Sequence, residues 1–452
     1  MKLKPLNLSS IQFKFRWNVF VFPLILLLLL LLSYYAPTRT QQVKLTSSYP
    51  ATVCPAIGNK ISSIAALTNS KIGRRSIDGR SKNLSSGKSS VIALVNDALL
   101  VEGNSGTALT FANSGWKSVV PCSVSNGEQW FVGGSGALTS KSILYIVNSG
   151  FSESIVDIEI YTPNGQLEPK NIAVAQNSTK KISIDSLVPG EEMIVIAVKT
   201  KAGRVSSYLF DERKKGLKSL GADFVAPVAT ASKQVTVAGI SGLTDKLISQ
   251  NNSVSHTLRL LIPGSIDANV DVTINSNDGN FIPEGLSQFD VKSQKVINIP
   301  LTFAPINQPF SIIIDSDQPI LASVLTELTF GKSKEIAWAT GADELHKWSI
   351  NLTGSRPTLT FSGDKINVQI SASGVNGKKI EQKVSGSDFV VWRAPVGLNR
   401  LQITVKNNGI AGGVIFMPEV GSIGSSTIPM NNGANLETAA EPISDAGVIS
   451  RG

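Results

Sequence analysis

The stretch IVDIEIYTPNGQLEP, residues 155–169, aligns without gaps on NVDVTINSNDGNFIP, residues 269–283. In both stretches apolar and polar residues alternate, which predicts strands with one buried face. Asn-Gly in the first stretch and Asp-Gly in the second stand at the same position after such a run. Because these dipeptides tolerate positive φ in a two-residue turn, each stretch predicts a β-hairpin.

The repeat has a third, weaker copy. Val368 and Ile370 occupy the apolar positions, and Asn376-Gly377 occupies the turn position. A Gly-Ala-Asp tripeptide also recurs, at residues 221–223 and 341–343. Each copy has roughly 80–115 residues, the size of an immunoglobulin-like domain. A continuous barrel or propeller is the alternative, but the repeat is too long for one propeller blade and three copies are too few.

The predicted fold class is therefore all-β. It consists of tandem immunoglobulin-like or fibronectin-like β-sandwich units after one N-terminal transmembrane helix. The predicted boundaries give a first sandwich with an N-terminal extension at 91–220, a second at 221–332 and a third at 333–418. The last stretch, 419–452, is rich in Gly, Ser, Asn and Ala and is predicted to be a disordered tail.

Residues 17–35 read WNVFVFPLILLLLLLLSYY and carry no charge. As a helix they span roughly 28 Å, close to the hydrocarbon thickness of a bilayer, with aromatic residues at both ends. The positive-inside rule places residues 1–16 in the cytoplasm and the bulk of the chain outside. The basic residues that decide this orientation are Lys2, Lys4, Lys14 and Arg16.

A cleavable signal peptide is the alternative to this anchor. Its cleavage site would need small residues after the apolar run, where this chain has Ser33-Tyr34-Tyr35-Ala36-Pro37. Bulky tyrosines and a proline make a poor site. The segment therefore predicts an uncleaved single-pass anchor.

The formal net charge of +9 is concentrated near the N-terminus. Residues 1–88 contain 13 Lys or Arg and a single acidic residue, Asp78. The rest of the chain is slightly acidic, whereas a nucleic-acid-binding protein needs a basic face. No nucleic-acid partner is therefore predicted, and the membrane is the expected partner of the N-terminus.

The segment 36–90 is predicted to be a stalk whose middle, 71–88, is a flexible basic loop. This loop could contact anionic lipid headgroups or anionic envelope polymers, or it could be a soluble tether. Its candidate contact residues are Lys71, Arg74, Arg75, Arg80 and Lys82.

The chain has two cysteines, Cys54 and Cys122. Both fall on the side predicted to be oxidising, so an even count suits one disulfide, with two free buried thiols as the alternative. Two isolated cysteines and two histidines cannot make a usual zinc site, and no metal site or cofactor is predicted.

Four short elements follow one another along the chain: Cys54-Pro55, Val101-Glu102-Gly103 with Gly106, Cys122, and Trp130-Phe131-Val132-Gly133-Gly134. Together they resemble an actinobacterial family of membrane-anchored or secreted proteins, domain of unknown function 5719. The resemblance covers about residues 50–418. It implies an envelope location and the two-cysteine layout, and it carries over no activity.

Catalytic patterns are absent from the sequence. His256 and His346 lie near no nucleophile motif, and no glycine-rich loop has the context of a nucleotide-binding motif. Trp116 and Trp130 are candidate ligand contacts, because exposed aromatic rings can stack on sugars. Packing inside the sandwiches is the alternative role for both rings.

Three hypotheses for function follow. The first is a membrane-tethered, extracytoplasmic envelope protein that is not an enzyme and whose β-sandwich repeats present a binding surface to a protein or glycan. The second is an enzyme or accessory subunit of envelope polysaccharide assembly, which requires a deep pocket with converging carboxylates of perturbed pKa. The third is a structural spacer.

Overall fold

The structure, a computed structural model, describes residues 44–45, 52–57, 62–65, 72–77, 81–84, 92–94, 98–101, 106–112, 116–242, 252–302, 308–374, 376–416, 425–431 and 439–440. Contacts divide the chain into a large part, 47–437, and a small part made of 1–46 and 438–452. In the small part, β1 (Lys44–Leu45) pairs antiparallel with β33 (Ala439–Ala440).

None of the described helical segments is long and apolar enough to cross a bilayer. The predicted anchor, residues 17–35, and the predicted cytoplasmic segment, residues 1–16, lie outside the described residues.

The large part is built from strands, and its described residues contain no α-helix but one short 3-10 helix at Ile184–Ser186. The all-β class is therefore confirmed. The strands are β2 (Thr52–Cys54), β3 (Ser62–Ala65), β4 (Ile72–Ser76), β5 (Ser81–Leu84), β6 (Ile92–Leu94), β7 (Leu99–Val101), β8 (Ala108–Ala112), β9 (Lys117–Pro121), β10 (Glu128–Phe131), β11 (Ser140–Asn148), β12 (Ser154–Thr162), β13 (Gly165–Gln166), β14 (Lys170–Val174), β15 (Ser178–Ser183), β16 (Val195–Ala202), β17 (Val205–Lys215), β18 (Lys218–Val225), β19 (Ser232–Ile240), β20 (Asn252–Leu261), β21 (Ala268–Ser276), β22 (Gly279–Phe281), β23 (Phe289–Val291), β24 (Val296–Pro300), β25 (Phe310–Phe330), β26 (Ser333–Ala342), β27 (Lys347–Asn351), β28 (Thr358–Ser373), β29 (Lys379–Arg393), β30 (Arg400–Val405), β31 (Ala411–Phe416) and β32 (Ser426–Pro429).

The strands pair in one scheme that recurs along the chain. Unit 1, residues 52–121, has one sheet of order β2-β7-β4-β5 and another of order β6-β3-β8-β9. Unit 2, residues 128–225, has one sheet of order β10-β16-β12, with β13 and β14 on the far side of β12, and another of order β15-β11-β17-β18. With β13 and β14 counted as one strand, each unit has eight strands. When the strands of a unit are numbered 1 to 8 in chain order, both units have the strand order 1-6-3-4 in one sheet and 5-2-7-8 in the other.

Long strands that run from one sheet into the next give the same scheme twice more. In unit 3, residues 232–342, β25 pairs with β19 and β21 through its first half and with β20 and β26 through its second. It therefore serves as the sixth and seventh strands. In unit 4, residues 347–429, β28 serves as the second and third strands and β29 as the fourth and fifth.

The two sheets of a unit share one apolar core. In unit 2, Val156 and Ile158 of β12 are fully buried in the same cluster as Leu144 and Ile146 of β11. Residues alternate in burial along β12 because successive side chains of a strand point to opposite faces. Complete burial of each such side chain stabilises the fold by roughly 1.5–3 kcal/mol.

The three predicted hairpins are confirmed, and each joins the third strand of its unit to the fourth. Gly165, Gly279 and Gly377 adopt positive φ angles of 118°, 116° and 82° in these turns. The register pairs Thr162 with Gly165 and Ser276 with Gly279 across the turns.

Unit 1 occupies a stretch for which the sequence predicts a stalk and a basic loop. Within residues 71–88, β4 and β5 pair antiparallel, and β4 also pairs with β7. This corrects the prediction of a flexible loop. The basic side chains obscured the strand pattern, although Asp78-Gly79 stands between β4 and β5 as a hairpin signal of the same kind.

The unit boundaries also differ from those expected at 91, 221 and 333. Gly221-Ala222-Asp223 lies inside β18, the last strand of unit 2, and Gly341-Ala342 ends β26, the last strand of unit 3. The tripeptide therefore ends a unit instead of opening the next one. Likewise β32 completes unit 4 although its residues fall within the predicted disordered tail, of which 419–424, 432–438 and 441–452 lie outside the described residues.

The eighth strands of the four units form a closed cycle of contacts. β9 contacts β18, β18 contacts β26, β26 contacts β32, and β32 contacts β9. Backbones approach closely where units meet. A Cβ atom on Gly413 would lie 2.5 Å from the carbonyl oxygen of Ala238 in the neighbouring unit.

We expect Gly413→Ala to force units 3 and 4 apart and to lower the free energy of unfolding by about 1–3 kcal/mol, the usual cost of overpacking. Denaturant titration followed by tryptophan fluorescence measures it. Gly127→Ala is the matched control, because no atom lies within 4 Å of a Cβ placed there. Equal midpoints for the two variants would contradict the tight contact.

Candidate functional site

Asp223 lies where the four eighth strands meet, and its carboxylate joins strands from all four units. It belongs to β18 of unit 2 and is fully buried. The hydroxyls of Ser118 on β9 and Ser426 on β32 donate to its Oδ1 at 2.5 and 2.6 Å. The backbone N–H of Trp338 on β26 donates to its Oδ2 at 2.8 Å. One side chain therefore links units 1, 2, 3 and 4.

A second buried carboxyl group, Glu335, lies on β26 in the same region. Its side chain is 1% exposed, and neither carboxyl oxygen has a hydrogen-bond partner. Burial, and then the charge of Asp223, raise the pKa of Glu335 to about 9. Burial also raises the pKa of Asp223 to about 7, although its hydrogen bonds oppose the rise. At neutral pH Glu335 therefore carries a proton, and Asp223 is close to its midpoint.

The indole of Trp338 connects this junction to a third buried carboxylate, Asp211. Its Nε1 donates to Asp211 Oδ2 at 3.0 Å, and the hydroxyls of Ser140 and Ser142 donate to Oδ1 at 2.8 Å each. Burial alone would raise the pKa of Asp211, but the charge of Arg213 and these donors together hold it below its usual value. Asp211 is therefore a stable anion, in contrast to Asp223.

Arg259 of unit 3 clamps unit 2 through backbone carbonyls. Its Nη1 donates to the carbonyl oxygens of Gly134 and Ile194 at 2.8 and 3.0 Å, and its guanidinium lies 5.1 Å from the centre of the Trp338 ring. The Gly133-Gly134 pair beside this contact leaves little room for side chains. A Cβ on Gly133 would meet Val225 at 2.9 Å, and Gly134 has a φ of 81°.

A pocket of about 100 Å³ borders the ends of β9 and β32. Its wall comes from units 1, 2 and 4, from the three segments that join consecutive units, and from Asn431 after unit 4. Most of the wall is apolar and includes Pro121, Val228 and Trp348. The polar side chains on it are Ser123, Asn126, Gln129, Tyr208, Asp343 and Asn431.

Gln129 is the polar group of this pocket with an unused hydrogen-bond donor. Its Oε1 accepts from the backbone N–H of Ser207 at 2.9 Å, whereas its buried Nε2 has no partner. Asn431 Oδ1 is used by the backbone N–H of Asp343 at 3.0 Å. Leaving a buried donor unmet costs about 1–3 kcal/mol. Because Gln129 is 2% exposed, a ligand carbonyl could remove that cost only after the side chain turns toward the pocket.

The predicted disulfide between Cys54 and Cys122 is confirmed, and it lies at this pocket. Cys122 is part of the pocket wall. The bond ties β2 to the residue that follows β9, and Tyr208 of unit 2 contacts both sides of it. The Tyr208 hydroxyl accepts from the backbone N–H of Ser123 at 2.8 Å and donates to the carbonyl oxygen of Val53.

Trp116 and Trp130, the candidate ligand contacts, are 1% and 6% exposed. The Trp116 ring packs on Phe111 and Phe210 with centroid distances of 5.0 and 5.3 Å. The Trp130 ring packs on Tyr161 at 5.7 Å. A ligand could reach neither ring without moving the residues that cover it.

The five basic candidates are partly described. Arg74 and Arg75 lie on β4 and Lys82 lies on β5, whereas Lys71 and Arg80 lie outside the described residues. Their contact with an anionic surface stays a prediction.

Neither histidine is part of the pocket wall. His256 Nδ1 lies 3.0 Å from the Thr326 hydroxyl, and burial lowers its pKa to about 4. His346 is exposed just before β27. In the described part of the chain no three His, Cys, Asp or Glu side chains are grouped so that they could hold a metal ion.

Sequence reasoning missed Asp223, Glu335 and Gln129. The recurrence of Gly-Ala-Asp pointed to Asp223, but the matching aspartate, Asp343, lines the pocket instead of the junction. Glu335 and Gln129 have no sequence signal, because only the packing of separate units removes them from water.

One family model matches the chain over residues 116–385, and its description is a family of unknown function, DUF5719. The match covers more than half of the chain and includes Asp223, Glu335 and Gln129. No curated protein matches the chain.

Replacing both cysteines with serine should lower the free energy of unfolding by roughly 4 kcal/mol, because the unfolded chain regains the freedom of a 68-residue loop. Denaturant titration without reductant measures this loss. The wild-type protein in excess reductant is the control and should match the double variant. An unchanged midpoint would show that the bond does not constrain the unfolded chain.

Proposed function

Since this chain belongs to DUF5719, a family of unknown function, we propose that it is a membrane-tethered, extracytoplasmic binding protein that takes up a glycan without transforming it. Two features support its compartment. The Cys54–Cys122 disulfide is typical of proteins in oxidising compartments. The uncharged segment 17–35, with basic residues before it, predicts a single-pass anchor with the bulk of the chain outside.

In this proposal each unit is an immunoglobulin-like or fibronectin-like sandwich in which different strands occupy the sheet edges. The strand order supports it. The second strand pairs with the fifth and the third with the sixth, as strands B and E and strands C and F do in that fold. The first and seventh strands then occupy the edges that strands G and A occupy in an immunoglobulin domain. The four units would carry a rigid binding surface away from the membrane.

The unused donor of Gln129 in the pocket is the observation that supports binding most directly. A pocket with apolar walls and a few converging polar groups is the usual form of a small-ligand site. A volume of about 100 Å³ admits a small group, not a whole sugar chain. An acetamido group fits this chemistry, because its methyl suits the apolar wall and its carbonyl can accept from Gln129 Nε2 once that buried side chain turns into the pocket. The sugar ring would then meet Asn126 and Asn431.

The pocket chemistry favours binding over the enzyme alternative. That alternative calls for a pocket with converging carboxylates of perturbed pKa. Asp343 is the one carboxyl group on the described pocket wall, while Asp223 and Glu335 are not part of it. A lone carboxyl group does not supply the acid and base pair that glycoside hydrolysis uses.

The binding test titrates the full chain in detergent with a trimer of N-acetylglucosamine and, separately, with a trimer of glucose. We expect calorimetry to detect the acetylated trimer only. Gln129→Glu keeps an oxygen for the Ser207 N–H and removes the donor, so affinity should fall at least tenfold, the equivalent of about 1.4 kcal/mol. Ala229→Trp, at an exposed position on the pocket wall, should abolish binding by filling the mouth.

Leu138→Trp is the matched control, because Leu138 is fully exposed and lies outside the pocket wall. It should bind as the wild type does. Equal binding of the two trimers would exclude recognition of the acetamido group. No binding of either trimer would favour the spacer alternative.

The anchor has its own test. We expect the full chain, of 48.0 kDa, to stay in the membrane fraction after an alkaline wash and to show its uncleaved mass by mass spectrometry. Replacing Leu28 and Leu29 with arginine should release it, because each charge at the centre of a span costs about 2.5–3.5 kcal/mol. A soluble product that lacks residues 1–36 would show a cleaved signal peptide instead.

A further inference from the structure

The contacts of Asp223 make the junction depend on protons as well as on packing. Ser118 comes from the last strand of unit 1 and Ser426 from the last strand of unit 4, so their bonds to Asp223 close the cycle of units. Glu335 is buried in the same junction without a partner. We propose that Asp223 and Glu335 form a proton-dependent clasp. While Glu335 keeps its proton the clasp holds the four eighth strands together, and when both carboxyl groups are charged it loosens the contact of β9 and β32 with β18 and β26.

The asymmetry between the two carboxyl groups explains why proton loss opens the clasp. A charge on Asp223 is stabilised by the hydroxyls of Ser118 and Ser426 and by the N–H of Trp338. A charge on Glu335 would meet no donor and would repel Asp223. Removing one partner from a buried charge is strongly destabilising, and here the second charge never has one.

The charged groups on neighbouring strands do not offset that charge. Asp211 of β17 is already paired with Arg213 at 3.3 Å, and Arg213 also approaches Glu327 of β25 at 3.6 Å. On β9 the ammonium of Lys117 lies over the Phe416 ring, 5.0 Å from its centre. Lys334 on β26 is exposed. β32 consists of Ser426–Pro429 and carries no titratable group.

The direction of the pH effect follows from the raised pKa values. The pKa of Asp223 rises from 3.8 to about 7 and that of Glu335 from 4.5 to about 9. The folded protein therefore keeps protons that the unfolded chain releases. This contribution to stability is complete below about pH 4 and is lost as the pH rises through 7 and then 9. For each proton that the folded protein retains and the unfolded chain has released, the folding equilibrium constant falls by up to tenfold with each unit rise in pH.

Hydrogen exchange on the full chain in detergent tests the clasp between pH 6 and 9 at constant ionic strength. Protection factors, which correct for intrinsic exchange, are compared for amides of β9 and β32 and for amides of β12 in the core of unit 2. We expect protection in β9 and β32 to fall at least tenfold more in the wild type than in Glu335→Gln, which mimics the protonated side chain. Protection in β12 should change less.

Glu284→Gln, at an exposed position of unit 3, is the matched control and should follow the wild type. Parallel loss of protection in the wild type and in Glu335→Gln would overturn the clasp, and so would an equal loss in β12. If Glu335→Gln fails to fold, the same experiment is carried out with Ser426→Ala. Because one donor to Asp223 is lost, the pH at which protection in β9 and β32 falls to half should rise. An unchanged pH would overturn the proposal.

Discussion

A buried carboxylate that accepts hydrogen bonds from three other units is the interaction on which the architecture depends. Each two-sheet unit buries its own core, but the outer face of its last strand must be covered by another unit. Around Asp223 that cover is polar, because Ser118, Ser426 and the Trp338 N–H replace the water that a carboxylate needs. These bonds have short reach and fixed direction. They therefore fix the register of four strands that apolar packing alone would leave free to slide.

Each junction between units covers an exposed face of the neighbouring unit, but the contacts differ in chemistry from one junction to the next. Between units 1 and 2 the covering face is aromatic, with Phe111, Trp116 and Phe210 in contact. Between units 2 and 3 the side chain of Arg259 crosses the junction and binds backbone carbonyls. A buried arginine adds little stability compared with an apolar residue. Its donors must, however, meet acceptors at fixed positions, which few other surfaces provide. We interpret the difference as a device that prevents one unit from docking in the place of another.

The sequence predicted the parts of the fold that depend on local chemistry. Gly165 and Gly279 marked two hairpins, because the positive φ that each adopts is open to glycine whatever its surroundings. Unit boundaries were not predictable in the same way. β25 and β28 run from one sheet into the other as continuous strands, although Asp317-Gln318-Pro319 and Gly363-Asp364 resemble turn signals. The repeat therefore predicted the period of the units but not the residue at which each begins. Unit 1 was hidden because the polar residues of β4 and β5 resemble those of a loop.

The candidate site was not predictable for a further reason, which also connects the pocket to the clasp. The pocket wall includes Pro121 and Pro429, the last residues of β9 and β32, which are the strands that Ser118 and Ser426 bind to Asp223. Opening of the junction would therefore change the pocket. Because linkage is reciprocal, a ligand that bridges these two strands would stabilise the closed junction and raise the pH at which it loosens. Binding and proton release would then oppose each other through the same pair of strands, without any direct contact between the ligand and either carboxyl group.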